Sequence, residues 1–232
     1  MGKATIISYE AEPFSDREEA GREIAAYMKE YRGAQTVVLG ILRGGIIVAR
    51  TLADELGAAC DMVLARKLGA PFNPELAVGA VSEEGELFVN PRLVGKGEED
   101  DNAYIQDEKE RQLAEIKRRR TLFRKEYPKI SLTGKTVIVT DDGIATGSTM
   151  RAALWSAGKD SPERLVAAVP VAAEDTVVSL AQDADEILCL RAPRMFYGVG
   201  QFYRKFPQVS DREVLEVLRE LAGGLKPRAP PS

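Results

Sequence analysis

Residues 137–149 read VIVTDDGIATGST. An apolar, strand-forming run ends on two adjacent aspartates, Asp141 and Asp142. It then passes into a loop of mostly small residues: Gly143, Ile144, Ala145, Thr146, Gly147, Ser148 and Thr149. Neighbouring carboxylates repel each other and lose solvation when taken out of water, so the pair needs partners. The vicinal hydroxyls of a sugar suit it, because each carboxylate accepts a charge-assisted hydrogen bond. The loop lacks large polar side chains and leads into a helix. It therefore offers successive backbone N–H groups at a positive helix terminus, which suits a phosphate. Thr146, Ser148 and Thr149 add hydroxyl donors. Acids for hydroxyls and amides for phosphate describe a sugar-phosphate site, provided that the acids are reachable and the amides are not bonded elsewhere.

The composition narrows what else this chain could do. Its 232 residues, 44% hydrophobic and 29% charged, are those of an ordinary globular protein with a substantial core. A formal net charge of -4 and a pI near 5.2 create no global basic field, so nucleic acid is disfavoured as a partner by charge and any bound anion must be held by local geometry. There is no histidine, which removes every histidine triad and any histidine base. With only two cysteines as well, a zinc site of the usual ligands is disfavoured. Cys60 and Cys189 lie in or beside apolar runs and read as buried structural thiols. No signal-like or bilayer-spanning apolar segment is present, so a cytoplasmic setting without membrane contact is expected.

The elements that must position the acids follow from periodicity. SDRE at 15–18 fits a capping box opening a helix over 15–32, with Ile24, Ala25 and Met28 on one face. TVVLGI (36–41) reads as a buried strand, RGGIIVARTLADELG (43–57) as a glycine turn into a helix, and MVLAR (62–66) as the next strand. KTVIVTD (135–141), RLVAAVPV (164–171) and EILCLR (186–191) are further strands, separated by helices over 147–158 and near 173–183. This alternation predicts an α/β fold: an open, mainly parallel twisted sheet with helices on both faces. Between 68 and 100 it breaks into a hairpin, AVGAV and ELFV around an EEG turn, with mobile flanks. A long helix over 102–127 follows, its stripe formed by Ile105, Leu113, Ile116 and Phe123. A second SDRE opens a helix over 210–221. The expected organisation is a single domain over 1–222, with a core at about 16–67 and 130–191, an insertion at about 68–127, and a small hood at about 192–209. Residues 223–232 are expected to be a disordered tail.

VIVTDDGIATGST closely resembles the phosphoribosyl diphosphate motif of the type I phosphoribosyltransferases. KLGAPFNPELAVGAV (67–81) is similar to a segment of an uncharacterised branch of that family. The resemblance implies the type I phosphoribosyltransferase fold and transfer of ribose 5-phosphate from phosphoribosyl diphosphate to a nitrogenous base, with Mg²⁺ assisting and pyrophosphate released. Asp141 and Asp142 would hold the ribose hydroxyls and residues 143–149 the 5′-phosphate. The loop Leu42, Arg43, Gly44 and Gly45 would bind pyrophosphate through its amides, with Leu42–Arg43 expected to be a cis peptide. Arg66 and Lys67, expected at the end of a core strand, would neutralise the leaving group; a surface pair is the alternative. Phe196 or Tyr197 would stack on the acceptor base, or simply cover the sheet edge. Magnesium is expected to be held mainly through substrate and water, with no protein cage.

The chain also departs from the family pattern. Members acting on 6-oxopurines carry an acid where this chain has Ala145, which weakens a hypoxanthine or guanine assignment. A general base would have to be a carboxylate such as Glu75, a lysine, a tyrosine or the substrate itself. A non-catalytic sensor of phosphoribosyl diphosphate is the alternative function, and a homodimer is possible by analogy. The basic run KRRRTLFRK (117–125) reads as a solvated helix face ahead of a nucleic-acid contact. No GxxxxGK[ST] is present, and GVGQFY (198–203) lacks the third glycine of a dinucleotide fingerprint.

Overall fold

The computed structural model describes residues 2–70, 73–89 and 99–224, with the side chains of all but 73–77, 99–105 and 224. In chain order the strands are β1 (Lys3–Ser8), β2 (Thr36–Ile41), β3 (Ala59–Val63), β4 (Arg66–Ala70), β5 (Asn73–Val81), β6 (Leu87–Val89), β7 (Thr136–Thr140), β8 (Arg164–Val171) and β9 (Glu186–Arg191). The α-helices are α1 (Arg17–Tyr27), α2 (Gly45–Leu56), α3 (Glu99–Phe123), α4 (Ser148–Lys159), α5 (Glu174–Leu180) and α6 (Asp211–Gly224).

Six strands form one parallel sheet in the order β1-β9-β8-β7-β2-β3. Alternate residues feed two cores. Val38, Ile138, Val166 and Leu188 pack in the layer of α1, α2 and α6, whereas Val37, Val139, Ala167 and Ile187 pack in that of α4 and α5. Coverage of both faces explains why β2 reads as a continuous apolar run instead of an alternating one. The strand order reverses between β7 and β2, which are paired in register from Thr36–Thr136 to Gly40–Thr140. Loops leaving the carboxyl ends of strands at such a switch point form the crevice in which α/β sheets bind ligands.

Several expectations need correction. MVLAR does not form one strand: β3 ends at Val63, and Arg66 and Lys67 open β4, which belongs to a different sheet. The apolar run is continuous because Leu64 and Leu68 are both buried, so it conceals the point where the chain leaves the core sheet. The insertion is more than a hairpin, because β4, β5 and β6 form a three-stranded antiparallel sheet with a turn at Gly85 (φ 85°). Phe88 packs against Trp155 of α4 with ring centroids 4.2 Å apart. The expected flanks fall in part on 71–72 and 90–98, outside the described residues. In α3, Ile116 and Phe123 are buried as the stripe requires and Leu113 packs in the same cluster as Ile116, while Phe123 joins the main core and the Ile105 side chain lies outside the described residues.

KRRRTLFRK is not a solvated face throughout. Arg124 reaches Asp61 at 2.6 Å and Glu83 at 2.8 Å, and all three side chains are 10% exposed or less. The first helix starts later than its capping box suggested. Asp16, not Ser15, is the N-cap, accepting from the Glu19 amide at 2.9 Å. At the C-terminus α6 runs through Gly224, so residues 223 and 224 are helical; 225–232 lie outside the described residues. The edge strand β1, half-exposed and without a strong pattern, went unanticipated.

Candidate active site

The acids leave the end of β7 and the Leu42–Gly45 loop leaves the end of β2, so the switch point brings them together. A Cβ on Gly45 would stand 2.9 Å from both Cα and Oδ1 of Asp141. On Gly44 it would fall on Asp142 Oδ2, so both glycines are required by contact alone. The Leu42–Arg43 peptide is cis. Arg43 is exposed, its guanidinium 3.6 Å from Asp211.

The two acids are not equivalent. Asp141 is partly buried, and its Oδ1 accepts from the Asp142 amide at 2.9 Å. Burial, then the neighbouring Asp142 charge, pushes the Asp141 carboxyl well above the usual carboxylate range, against the pull of nearby amides and Arg17. Asp142 has a cation of its own: Arg17 Nε donates to its Oδ2 at 2.8 Å, with the side chains 8% and 16% exposed. Burial raises the Asp142 carboxyl too, and Arg17 opposes that rise. Sequence patterning expected two acids awaiting hydroxyls, whereas the structure gives one of them a partner on a single oxygen.

The small-residue loop divides in the same way. Ile144 turns inward: its side chain is 4% exposed and its amide donates to Val171 O at 2.9 Å, so this amide is not available to a phosphate. Gly143 packs beneath the hood, where a Cβ would meet Val199 Cγ1 at 2.6 Å. Ala145, Thr146 and Thr149 are exposed, and the Ala145 carbonyl is anchored by the Thr176 hydroxyl at 2.9 Å. Thr146 Oγ1 lies 3.2 Å from Ser148 Oγ. The first helical bond of α4 runs from the Arg151 amide to Gly147 O at 2.8 Å, which leaves the Thr149 and Met150 amides ahead of the ladder. The anion-binding character therefore concentrates at 145–150 rather than along the whole of 143–149.

Beside this loop opens a cavity of about 480 Å³. Leu42, Arg66, Lys67 and Thr149 line it together with Gln112 and Arg119 of α3. Arg66 therefore does face the crevice, although from β4 and not from a core strand. Its Nε donates to Gln112 Oε1 at 2.8 Å, and burial, then the Arg119 charge, lowers its pKa. Arg119 in turn is paired with Glu115 at 2.7 Å.

In the hood, Phe196 and Tyr197 separate. Phe196 packs 5.3 Å from Phe202 against the core, while Tyr197 is 86% exposed. Tyr203 joins the acids directly, its hydroxyl donating to the Asp142 main-chain carbonyl at 2.6 Å. Phe206 stacks on Tyr203 and receives the Arg17 guanidinium 3.9 Å above its ring. Arg17 lies within the SDRE capping box and Tyr203 ends GVGQFY, but neither pattern assigns its residue a place beside the acids. The one available signal was an arginine in the first turn of a helix, where the dipole disfavours a cation.

A family model described as the phosphoribosyl transferase domain matches residues 14–206. The chain belongs to this family. Two relatives from Mycobacterium tuberculosis, strains CDC 1551 and H37Rv, each provisionally named a phosphoribosyl transferase, are 43% identical over 205 residues. The match covers 88% of this chain and 46% of theirs, so the chain spans about half the length of these curated relatives. The crystal structure of TT1426 from Thermus thermophilus superposes with a TM-score of 0.84 at 40% identity, covering 90% of this chain and 99% of that one. The family fold, a mostly parallel six-stranded sheet with a separate small antiparallel sheet, is thus shared with a solved relative. No helix among the described residues is long and apolar enough to cross a membrane.

Proposed function

We propose that this domain transfers ribose 5-phosphate from phosphoribosyl diphosphate to a nitrogenous base. The bond from ribose C1 to the diphosphate oxygen breaks, a bond from C1 to the base nitrogen forms, and the nitrogen's proton is released. One observation carries this reading: two carboxylates at the end of β7 stand between the open first turn of α4 and the Leu42–Gly45 loop. The 5′-phosphate would sit on the amides and hydroxyls of 145–150. Asp141 and the second oxygen of Asp142 would accept from the ribose hydroxyls and favour positive charge developing at C1. Arg66 and Lys67, facing the adjoining cavity, would balance the departing pyrophosphate.

The donor set fits magnesium carried by the substrate. Two vicinal carboxylates are present, while no group of three acidic or thiol side chains is found among the described residues. Asp141 and Asp142 would be the protein's contribution to holding the ion, which would supply positive charge against the diphosphate. Tyr197 is the exposed ring available for stacking on a base, and Ala145 offers no acid to a 6-oxopurine.

Calorimetry with phosphoribosyl diphosphate and Mg²⁺, followed by a screen of free bases for pyrophosphate release, tests the proposal. Binding with turnover of at least one base is expected. Absence of binding overturns the proposal, and binding without consumption of any base leaves the sensor role instead.

A further inference from the structure

We infer that Gln112 of α3 is a positioning residue for the leaving group, holding Arg66 in the cavity by a neutral amide so that the guanidinium keeps its charge for pyrophosphate. This rests on the proposed function. The period of α3 brings the residue there. Glu108, Gln112 and Arg119 fall on one helix face, and all three line the cavity. The Gln112 amide has only one productive orientation. Arg66 Nε donates to its Oε1 at 2.8 Å, and its Nε2 donates to Glu108 Oε1 at 2.7 Å. A guanidinium only donates and a carboxylate only accepts, so the amide cannot flip without losing both bonds. Arg111 donates to the other oxygen of Glu108 and fixes that end of the chain. The helix is itself set against the Leu42–Gly45 loop, because Asp211 at the start of α6 stands 3.6 Å from both Arg43 of the loop and Arg118 of α3.

Comparison with two other arginines shows what the amide does. Arg119 and Arg124 each have a carboxylate on Nε, Glu115 at 2.7 Å and Glu83 at 2.8 Å. Such contacts offset the cost of taking a guanidinium out of water. Arg66 is half-buried and has an amide in that place, with the Glu108 carboxylate one side chain further away. Burial, then the Arg119 charge, works against the Arg66 cation. An arginine that had only to be buried would be better served by a carboxylate on Nε. For one that meets an anion, a carboxylate in contact would cancel part of its charge and repel the arriving ligand. The amide fixes the direction of the side chain and leaves its charge intact.

The test is calorimetry with Mg²⁺ and inorganic pyrophosphate, and separately with ribose 5-phosphate. It compares wild type, Gln112→Leu and the exchange of Glu108→Gln with Gln112→Glu. The exchange keeps both hydrogen bonds and the net charge, but moves the carboxylate onto Arg66. It should share the wild-type urea midpoint, bind pyrophosphate roughly tenfold more weakly and bind ribose 5-phosphate as wild type does. Gln112→Leu, which leaves Arg66 free to turn, should lose about threefold to tenfold on pyrophosphate alone. A merely structural glutamine predicts no loss from the exchange, because every bond of the chain is retained. If the exchange binds pyrophosphate as tightly as wild type, or weakens both ligands alike, the inference falls while the proposed function stands. If wild type binds ribose 5-phosphate but not pyrophosphate, the inference falls and the ribose site stands. If it binds neither, both fall. Should the exchange fail to fold, Gln112→Leu decides: a pyrophosphate affinity equal to that of wild type overturns the inference.

Discussion

At Gly147 the backbone φ is 76°, and the position a Cβ would occupy lies 2.8 Å from Thr176 Cγ2 and 3.3 Å from Leu180 Cδ1. The glycine of the ATGST segment is therefore required twice, once by a left-handed conformation and once by the close approach of α5. Gly147→Ala should lose about 1–2 kcal/mol from the conformation alone, more if α5 cannot yield, which a denaturant midpoint would measure. Asp141 carries the opposite kind of strain. Its raised pKa means that the folded state binds the proton more tightly than the unfolded chain does. Its contribution to stability is complete below the unfolded carboxyl pKa and is lost as pH rises through the folded one. Asp141→Asn, which still accepts from the Asp142 amide, should therefore melt higher than wild type at pH 8, with the gain vanishing towards pH 4. The same variant should lose affinity for phosphoribosyl diphosphate. A scanning melt at both pH values checks the first claim and calorimetry the second. The acids were legible in the sequence as a pair because DD at a strand end is conspicuous. Their inequality was not, since it arises from an arginine 125 positions away.

Elements were legible where one physical signal dominated. Thr36–Ile41, Arg164–Val171 and Glu186–Arg191 are strands with the bounds that their apolar runs give, because strands buried on both faces have little choice of residue. Where burial continues across a change of sheet, as at Leu64 and Leu68, composition carries no boundary. The two SDRE tetrapeptides make the same point about registers. In the second, Ser210 is the cap: the Glu213 amide donates to Ser210 Oγ at 3.2 Å, and the Ser210 amide donates to Glu213 Oε2 at 2.7 Å. In the first, the box slides by one residue, so that Asp16 caps and Glu19 accepts from the Ser15 amide. The slide turns Arg17 inward, while the corresponding Arg212 has a side chain 87% exposed. Local sequence permits both registers, and the tertiary partner of Arg17 selects one. Ser210→Ala and Asp16→Ala should each lose about 1 kcal/mol, whereas Ser15→Ala, whose side chain is not the cap, should lose only a few tenths. Parallel chemical denaturation of the three variants distinguishes the registers.

For the molecule as a whole, the question is what holds the inserted sheet and α3 over the crevice. Gln112 and Arg119 line the cavity from α3, and the chain just beyond that helix is fixed by Arg124. Its guanidinium bonds Asp61 of the core sheet, Glu83 of the β5–β6 turn region and the Met62 carbonyl at 3.1 Å, so core sheet, insertion and the end of α3 meet at one cation. Asp61 is 1% exposed, and it also accepts from the Met62 amide at 2.7 Å and the Ile130 amide at 3.0 Å. Burial raises its pKa, with Arg124 the largest opposing influence. Removing the cation leaves Asp61 buried without a counter-charge and Glu83 with only Arg120 at 3.8 Å, an effect on the order of 3–5 kcal/mol. Arg124→Met should therefore be severely destabilised at pH 8. The deficit should narrow as pH falls, because the proton that the folded state then binds on Asp61 relieves the unpaired charge. Neutralising all three positions together, with Arg124→Met, Asp61→Asn and Glu83→Gln, should recover much of the loss. Urea titrations of both variants at pH 5 and pH 8 decide the matter. A deficit in Arg124→Met that does not change with pH would mean that the pin is held by packing of the arginine stem and not by its charge.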